Sequence, residues 1–137
     1  MTDTIVFDTE PLIAYLDDEP GSDTVETWID RVAAGEVDGY ISPVTKTEIV
    51  YVGARVGFRR ETLLDSLRRL ADLGVSVYEA ENCWETAATL KADHTMALGD
   101  AYALATARAV EGTLLVGADS DFTDVPVAVE RFRDEPA

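Results

Sequence analysis

The sequence predicts a single α/β domain built on a mainly parallel, five-stranded sheet. Three observations carry that expectation. Short apolar runs recur along the chain, at 4–7, 38–42, 75–79, 113–117 and 127–132, and stretches of helical periodicity fill the gaps between the first four. Strands separated by helices need crossover connections, which is how parallel neighbours are joined. A chain of 137 residues with 47% hydrophobic content makes one domain with a true core, and no repeat, low-complexity tract or linker divides 1–137.

The elements follow in order. "TIVF" (4–7) is a strand running into Asp8, and Pro11 suits the first turn of the helix "PLIAYLDD". "GSDTVETWIDRVAAGE" offers Ser22 or Asp23 as N-cap, with Val25, Trp28, Ile29 and Val32 on one face. "DGYIS" (38–42) is the second strand. Ser42 then caps, and Pro43 opens, the helix "SPVTKTEIVYVGARVG". "RRETLLDSLRRLADLG" places Leu63, Leu64, Leu67, Leu70 and Leu73 along an apolar stripe and stops at Gly74. "VSVYE" (75–79) is a strand, and "ENCWETAATLKADH" and "LGDAYALATARAVEG" are helices, the second ending near Gly112. "TLLVG" and "VAVERF" supply the last two strands.

Composition narrows the setting. No apolar run approaches the roughly 20 residues of a membrane span, and "MTDTIVFDTE" lacks the basic and apolar regions of a secretory signal. A lone cysteine, Cys83, makes no intrachain disulfide, so a soluble, cytoplasmic protein is expected. Acidic residues number 27 against 11 basic ones, a net charge of −16, with Lys46 and Lys91 the only lysines. The apolar content is too high and too periodic for disorder. A very salty, halophilic cytoplasm, whose screening tolerates a dense acidic surface, is the better explanation. In molar salt counterion release drives little binding, so acidity does not exclude a nucleic-acid partner.

Open parallel sheets form their sites beyond the carboxyl ends of the strands. Asp8 stands at that end of the first strand, and Asp119 and Asp121 just past that end of the fourth. If those strands are neighbours, three carboxylates share one crevice. Glu48, two turns into the Pro43 helix among Val44, Ile49, Val52 and Val56, and Asp100, at the opening of an Ala-rich helix, can join them. Each acid also has an ordinary role open to it. Asp8 and Asp100 can serve helix N-termini, Asp119 and Asp121 an Asx-type turn, and Glu48 a solvated surface. Together the ordinary roles weaken, because two like charges about 4 Å apart repel by roughly 4 kcal/mol at an effective dielectric near 20. Such a group of carboxylates either holds protons or binds a cation, and an all-oxygen set suits Mg²⁺ or Mn²⁺.

The three blocks "FDTEPLIAYL", "ISPVTKTEIVYV" and "LGDAYALATARAVEGTLLVGADSDF" resemble, in order and spacing, the PIN domain and within it the VapC-type ribonuclease toxins. The resemblance implies a PIN-like three-layer α/β/α domain with the first and fourth strands adjacent. It implies Asp8, Glu48, Asp100 and Asp119 as the catalytic, metal-binding quartet, Asp121 as an auxiliary member, and Thr9 and Thr45 as supporting hydroxyls. It also implies an RNA substrate, one or two Mg²⁺ or Mn²⁺ ions, products with 5′-phosphate and 3′-hydroxyl ends, a small antitoxin partner and a homodimer. Two positions depart from the family pattern. Glu10 stands where Ser is frequent and Gly117 where Thr or Ser is frequent, so two hydroxyls near the acids are lost. Glu10 either adds a ligand or faces solvent.

Rival chemistries meet the inventory poorly. The only histidine is His94, which excludes a paired-histidine ribonuclease, and Cys83 lies 11 residues away from it, about 16 Å along a helix. An aspartyl phosphatase or receiver is disfavoured because the first strand ends in Asp8-Thr9-Glu10 instead of Asp-x-Asp, and neither lysine follows a late strand. A PIN-fold RNA-processing nuclease and a non-catalytic PIN-like binding module remain as alternatives. Arg55, Arg59, Arg60, Arg68 and Arg69 crowd into fifteen residues. They form either a contact for RNA phosphates or an acidic partner, or a solvated face balanced by Glu61 and Asp65. Tyr15, Trp28 and Tyr51 are either aromatic contact surface or core.

Overall fold

Two strands with apolar side chains on both faces lie at the centre of the sheet: β1 (Asp3–Phe7) and β4 (Thr113–Val116). The computed structural model describes residues 3–135. β2 (Val37–Ile41) and β3 (Val75–Val77) continue the sheet on one side and β5 (Val129–Arg131) on the other, in the order β3-β2-β1-β4-β5. Every pairing is parallel, with Phe7 opposite Leu115, Ile5 opposite Gly39 and Val116 opposite Arg131. All carboxyl ends therefore emerge at one edge, with the first and fourth strands side by side.

Among the described residues six helices cover the two faces: α1 (Thr9–Leu16), α2 (Ser22–Ala33), α3 (Pro43–Arg55), α4 (Arg60–Asp72), α5 (Trp84–Asp93) and α6 (Leu98–Val110). The alternation of strand side chains assigns them to layers. Ile5, Phe7 and Leu115 face one way, into a core with Leu12, Ile29, Ile49 and Leu63 from α1 to α4. Val6, Leu114 and Val116 face the other way and pack against Leu90 of α5 and Leu104 of α6. The architecture is thus α/β/α. Both faces are covered, which explains why the central strands are continuous apolar runs. Among the described residues no helix is long and apolar enough to cross a membrane.

Local signals match at several points. The Ser42 side chain accepts a hydrogen bond from the Thr45 amide at 3.0 Å, and Pro43 occupies the first turn of α3. Other expectations need correction. The N-cap of α2 is Gly21, at φ 89°, and not Ser22 or Asp23, because the chain turns there against Phe132 and leaves no room for a side chain. Residues 80–82 form a separate 3₁₀ turn, so α5 begins at Trp84, after Cys83 departs from helical geometry at φ −138°. β3 and β5 are only three residues each, shorter than the apolar runs suggest.

A candidate metal centre at the strand ends

Asp8 is placed by the sheet itself. Its amide donates to the Leu115 carbonyl at 3.0 Å, prolonging the β1–β4 ladder by one residue and aiming the carboxylate into the crevice between the strands. The residue is buried and occupies the N-cap position of α1, yet makes no side-chain capping bond. Burial raises its pKa, the Thr9 amide opposes that rise, and the charges of Glu48, Glu10 and Asp119 add to it, leaving the group at about 7.

Glu48 reaches the crevice from α3. The Thr9 hydroxyl donates to Glu48 Oε1 at 2.7 Å, and the Tyr51 hydroxyl to Oε2 at 3.4 Å. Its carboxylate lies against the first turn of α6, where a Cβ on Gly99 would collide with it. Glycine at 99 is what allows α3 and α6 to approach closely enough for this.

Asp100 sits in that same first turn, inside the helix and not at its cap, which is Ala97. Its Oδ2 is buried without a hydrogen-bond partner among the described residues. Burial, the Asp8 charge and the nearby carboxylates of Asp121 and Asp119 push its pKa up to about 9. Asp119 is exposed and opens the 3₁₀ turn Ser120–Phe122, its Oδ1 accepting from the Asp121 amide at 2.8 Å. Asp121 Oδ2 accepts from the Ala97 amide at 3.4 Å, tying this turn to the start of α6. Asp100, Asp119 and Asp121 each offer one oxygen, all within 4.8 Å of one another.

The crevice holds about 270 Å³ and is lined by Asp8, Thr9, Glu10, Glu48, Asp100, Asp119 and Arg133, among others. Its chemistry fits a hard divalent cation. Every donor is an oxygen, two carboxyls are forced toward protonation by burial and mutual repulsion, and one buried oxygen lacks a partner.

The remaining predicted residues divide. Thr9 touches Glu48, whereas Thr45 is buried in the first turn of α3 with its hydroxyl bonded to Ser42 at 3.1 Å. Arg55, Arg59, Arg60, Arg68 and Arg69 are all exposed on α3, α4 and the turn between them. Arg59 pairs with Glu61 and Arg68 with Asp65, Arg55 stacks over the Tyr51 ring, and Arg60 and Arg69 make no ion pair among the described residues. Glu10 does not simply face solvent: it lines the crevice and binds Arg133 Nε at 3.1 Å. Tyr51, Gly99, Arg131 and Arg133 are the site residues the sequence reading did not assign. Only Tyr51 carried a signal, lying three residues after Glu48 and hence on the same helical face.

No curated protein matches the chain. VapBC2 of Rickettsia felis, solved bound to a DNA fragment from its promoter, contains a chain of similar fold, with TM-score 0.72, 18% identity and coverage of 93% of this chain and 98% of that one. A toxin–antitoxin complex of Klebsiella pneumoniae matches at TM-score 0.67, 23% identity and coverage of 92% and 95%. FitAcB of Neisseria gonorrhoeae matches at TM-score 0.62, 22% identity and coverage of 91% and 95%. The PIN domain family matches residues 5–128, nearly the whole α/β/α unit and all five acids, and the chain belongs to that family.

Proposed function

We propose that the protein is a divalent-metal-dependent endoribonuclease and the toxin of a VapBC-type toxin–antitoxin pair. One observation carries the nuclease reading: carboxylates from β1, α3, α6 and the turn after β4 meet in one crevice, where Asp8 and Asp100 cannot both ionise readily without a compensating cation. Asp8, Glu48, Asp100, Asp119 and Asp121 would hold one or two Mg²⁺ or Mn²⁺ ions. Such ions, when bound, supply water activation at neutral pH and neutralise charge on the phosphodiester. The chain's own part is orientation: Thr9 and Tyr51 aim Glu48, the β1–β4 ladder fixes Asp8, and the 3₁₀ turn fixes Asp119 against Asp121.

Arg55, Arg60 and Arg69 are the exposed cations best suited to phosphate groups flanking the cut, since none makes an ion pair among the described residues. The antitoxin partner and the homodimer are supported by family membership and by fold likeness to toxin–antitoxin complexes. A cytoplasmic, high-salt setting is supported by the net charge of −16.

The test is cleavage of a structured RNA panel with Mn²⁺ at high salt by partner-free protein and by Asp8→Asn. Metal-dependent cutting that leaves 5′-phosphates and vanishes in Asp8→Asn is expected. A folded, Mn²⁺-binding protein that cuts nothing would favour a PIN-fold binding module, and absence of Mn²⁺ binding would remove the metal reading itself.

A further inference from the structure

Three consecutive residues leading to Asp119 have backbone groups held by side chains from elsewhere in the chain. The Ala118 amide donates to Glu10 Oε2 at 3.4 Å. The carbonyls of Gly117 and Asp119 both accept from Arg131 Nη1, the second at 3.0 Å. Glu10 is itself fixed by Arg133, whose Nε donates to Oε2 at 3.1 Å while Nη1 reaches Glu19 at 3.0 Å and the Pro20 carbonyl at 3.2 Å. The Arg133 side chain is only 9% exposed. The contact needs glycine at 117, because a Cβ there would collide with the Glu10 carboxylate. The two departures from the family pattern are therefore a single feature: Glu10 occupies the space that a side chain at 117 would fill.

Both arginines come from one short run, "VERFR". Arg131 ends β5, opposite Val116, and Arg133 follows two residues later. Phe132 between them is buried in the core beside Gly21, which anchors the run. Phe132 turns into the core, Arg131 reaches the loop after β4, and Arg133, stacked over the Phe132 ring, reaches Glu10, Glu19 and the Pro20 carbonyl. That loop needs holding. Asp119 is exposed, yet it lines the crevice with Asp8 and Asp100 and has an oxygen within 4.8 Å of one of Asp100, so its place depends on how the loop backbone is held.

We propose that Arg131 and Arg133 are positioning residues, a C-terminal clasp that fixes the 117–119 backbone so that Asp119 stays beside Asp8 and Asp100 before any ion arrives. Arg131 acts directly on the loop; Arg133 acts through Glu10. Among the described residues neither guanidinium donates to the carboxylates of Asp8, Asp100 or Asp119, so the clasp leaves those oxygens free for an ion. The role rests on the metal site proposed above.

The experiment compares wild type with Arg131→Gln, Arg133→Gln, Arg133→Lys and the remote control Arg31→Gln. Mn²⁺ affinity is read by titration calorimetry, and amide exchange at Ala118 by NMR in metal-free protein. Loss of the clasp is expected to weaken Mn²⁺ binding about 10- to 100-fold, the usual effect of removing groups that orient metal ligands. Exchange at Ala118 should rise while that of Val6 and Leu114 in the core stays unchanged. Arg133→Lys, which keeps a cation beside Glu10 and Glu19, should recover part of the loss. If Arg133→Gln does not fold, Arg131→Gln still decides. Folded clasp variants that bind Mn²⁺ as tightly as wild type would overturn the clasp alone. A wild type that takes up no Mn²⁺ would instead overturn the metal site, and the clasp's assigned role with it.

Discussion

Thr9 donates its hydroxyl hydrogen to Glu48 across 39 residues of chain, at 2.7 Å. The bond joins the first turn of α1 to the middle of α3, and with the Tyr51 hydroxyl donating to the other oxygen both Glu48 oxygens are held. Thr9 is buried beside Asp8, so one dipeptide supplies both a carboxylate and the group that orients a second.

Thr9→Val keeps the shape and deletes the donor. The fold should survive, while Mn²⁺ affinity and RNA cleavage each fall about 10- to 100-fold. Thr9→Ser should retain most of both. Calorimetric titration beside a cleavage time course checks this, and a fully active valine variant would show that Glu48 needs no such support.

Gly99→Ala tests the close approach of α3 and α6. Alanine is the better helix former by roughly 1 kcal/mol, so in isolation it would stabilise α6. Here its Cβ displaces the Glu48 carboxylate. Cleavage should drop at least about tenfold with little change in melting temperature. Full activity would mean that Glu48 can leave the crevice without consequence.

The extent to which the site could be read from sequence follows from how local each signal is. Asp8 and Asp119 were legible because an apolar strand that ends in a carboxylate is a departure visible within a few residues. Glu48 was legible because a charge stands among valines and isoleucines at helical spacing. The clasp was not. Arg133 and Glu10 lie 123 residues apart, and nothing in "VERFR" says that its arginines meet the loop after β4 until β5 is known to lie beside that strand. The conspicuous cationic cluster of residues 55–69, by contrast, lies on exposed helical surface outside the crevice. The fold itself was more legible than its edges. Central strands announce themselves as apolar runs, whereas β3 and β5, each paired on one side only, are cut to three residues by their surroundings.

Salt should stabilise the protein. With 27 acidic against 11 basic residues the folded surface repels itself, and raising ionic strength from about 0.1 M to 1 M shortens the Debye length from roughly 10 Å to 3 Å. The melting temperature should climb steadily with KCl into the molar range. A flat or falling dependence in a thermal scan would remove the high-salt setting as the reason for the charge.

The proton balance of the crevice has a definite sign. In the metal-free protein Asp8 titrates at about 7 and Asp100 at about 9, above the ordinary value of 3.8. The folded state therefore binds more protons than the unfolded chain, and the stability of metal-free protein falls as pH rises through that window. Ion binding runs the other way, since it requires ionised carboxylates: Mn²⁺ affinity should rise from about pH 6 to about pH 9, with protons released on binding. Titration calorimetry in buffers of different ionisation enthalpy measures the release. Affinity that does not change with pH would mean that Asp8 and Asp100 are already ionised and that repulsion in the crevice is relieved by other means.

Asp100→Asn separates stability from function at the same site. The amide keeps the side chain's shape but carries no charge, so it escapes the burial and repulsion that raise the carboxyl's pKa. Metal-free Asp100→Asn should melt higher than wild type at neutral pH by a few degrees, about 4 °C for each kcal/mol relieved in a domain of this size. The gain should widen as pH approaches about 9, where wild-type Asp100 ionises. Adding Mn²⁺ should reverse the order, stabilising wild type by mass action and the variant far less. Cleavage should be lost in the variant throughout. Thermal scans with and without Mn²⁺ at two pH values decide the matter, and a variant less stable than wild type without metal would mean that Asp100 serves the fold and that its carboxylate is not held there at the expense of stability.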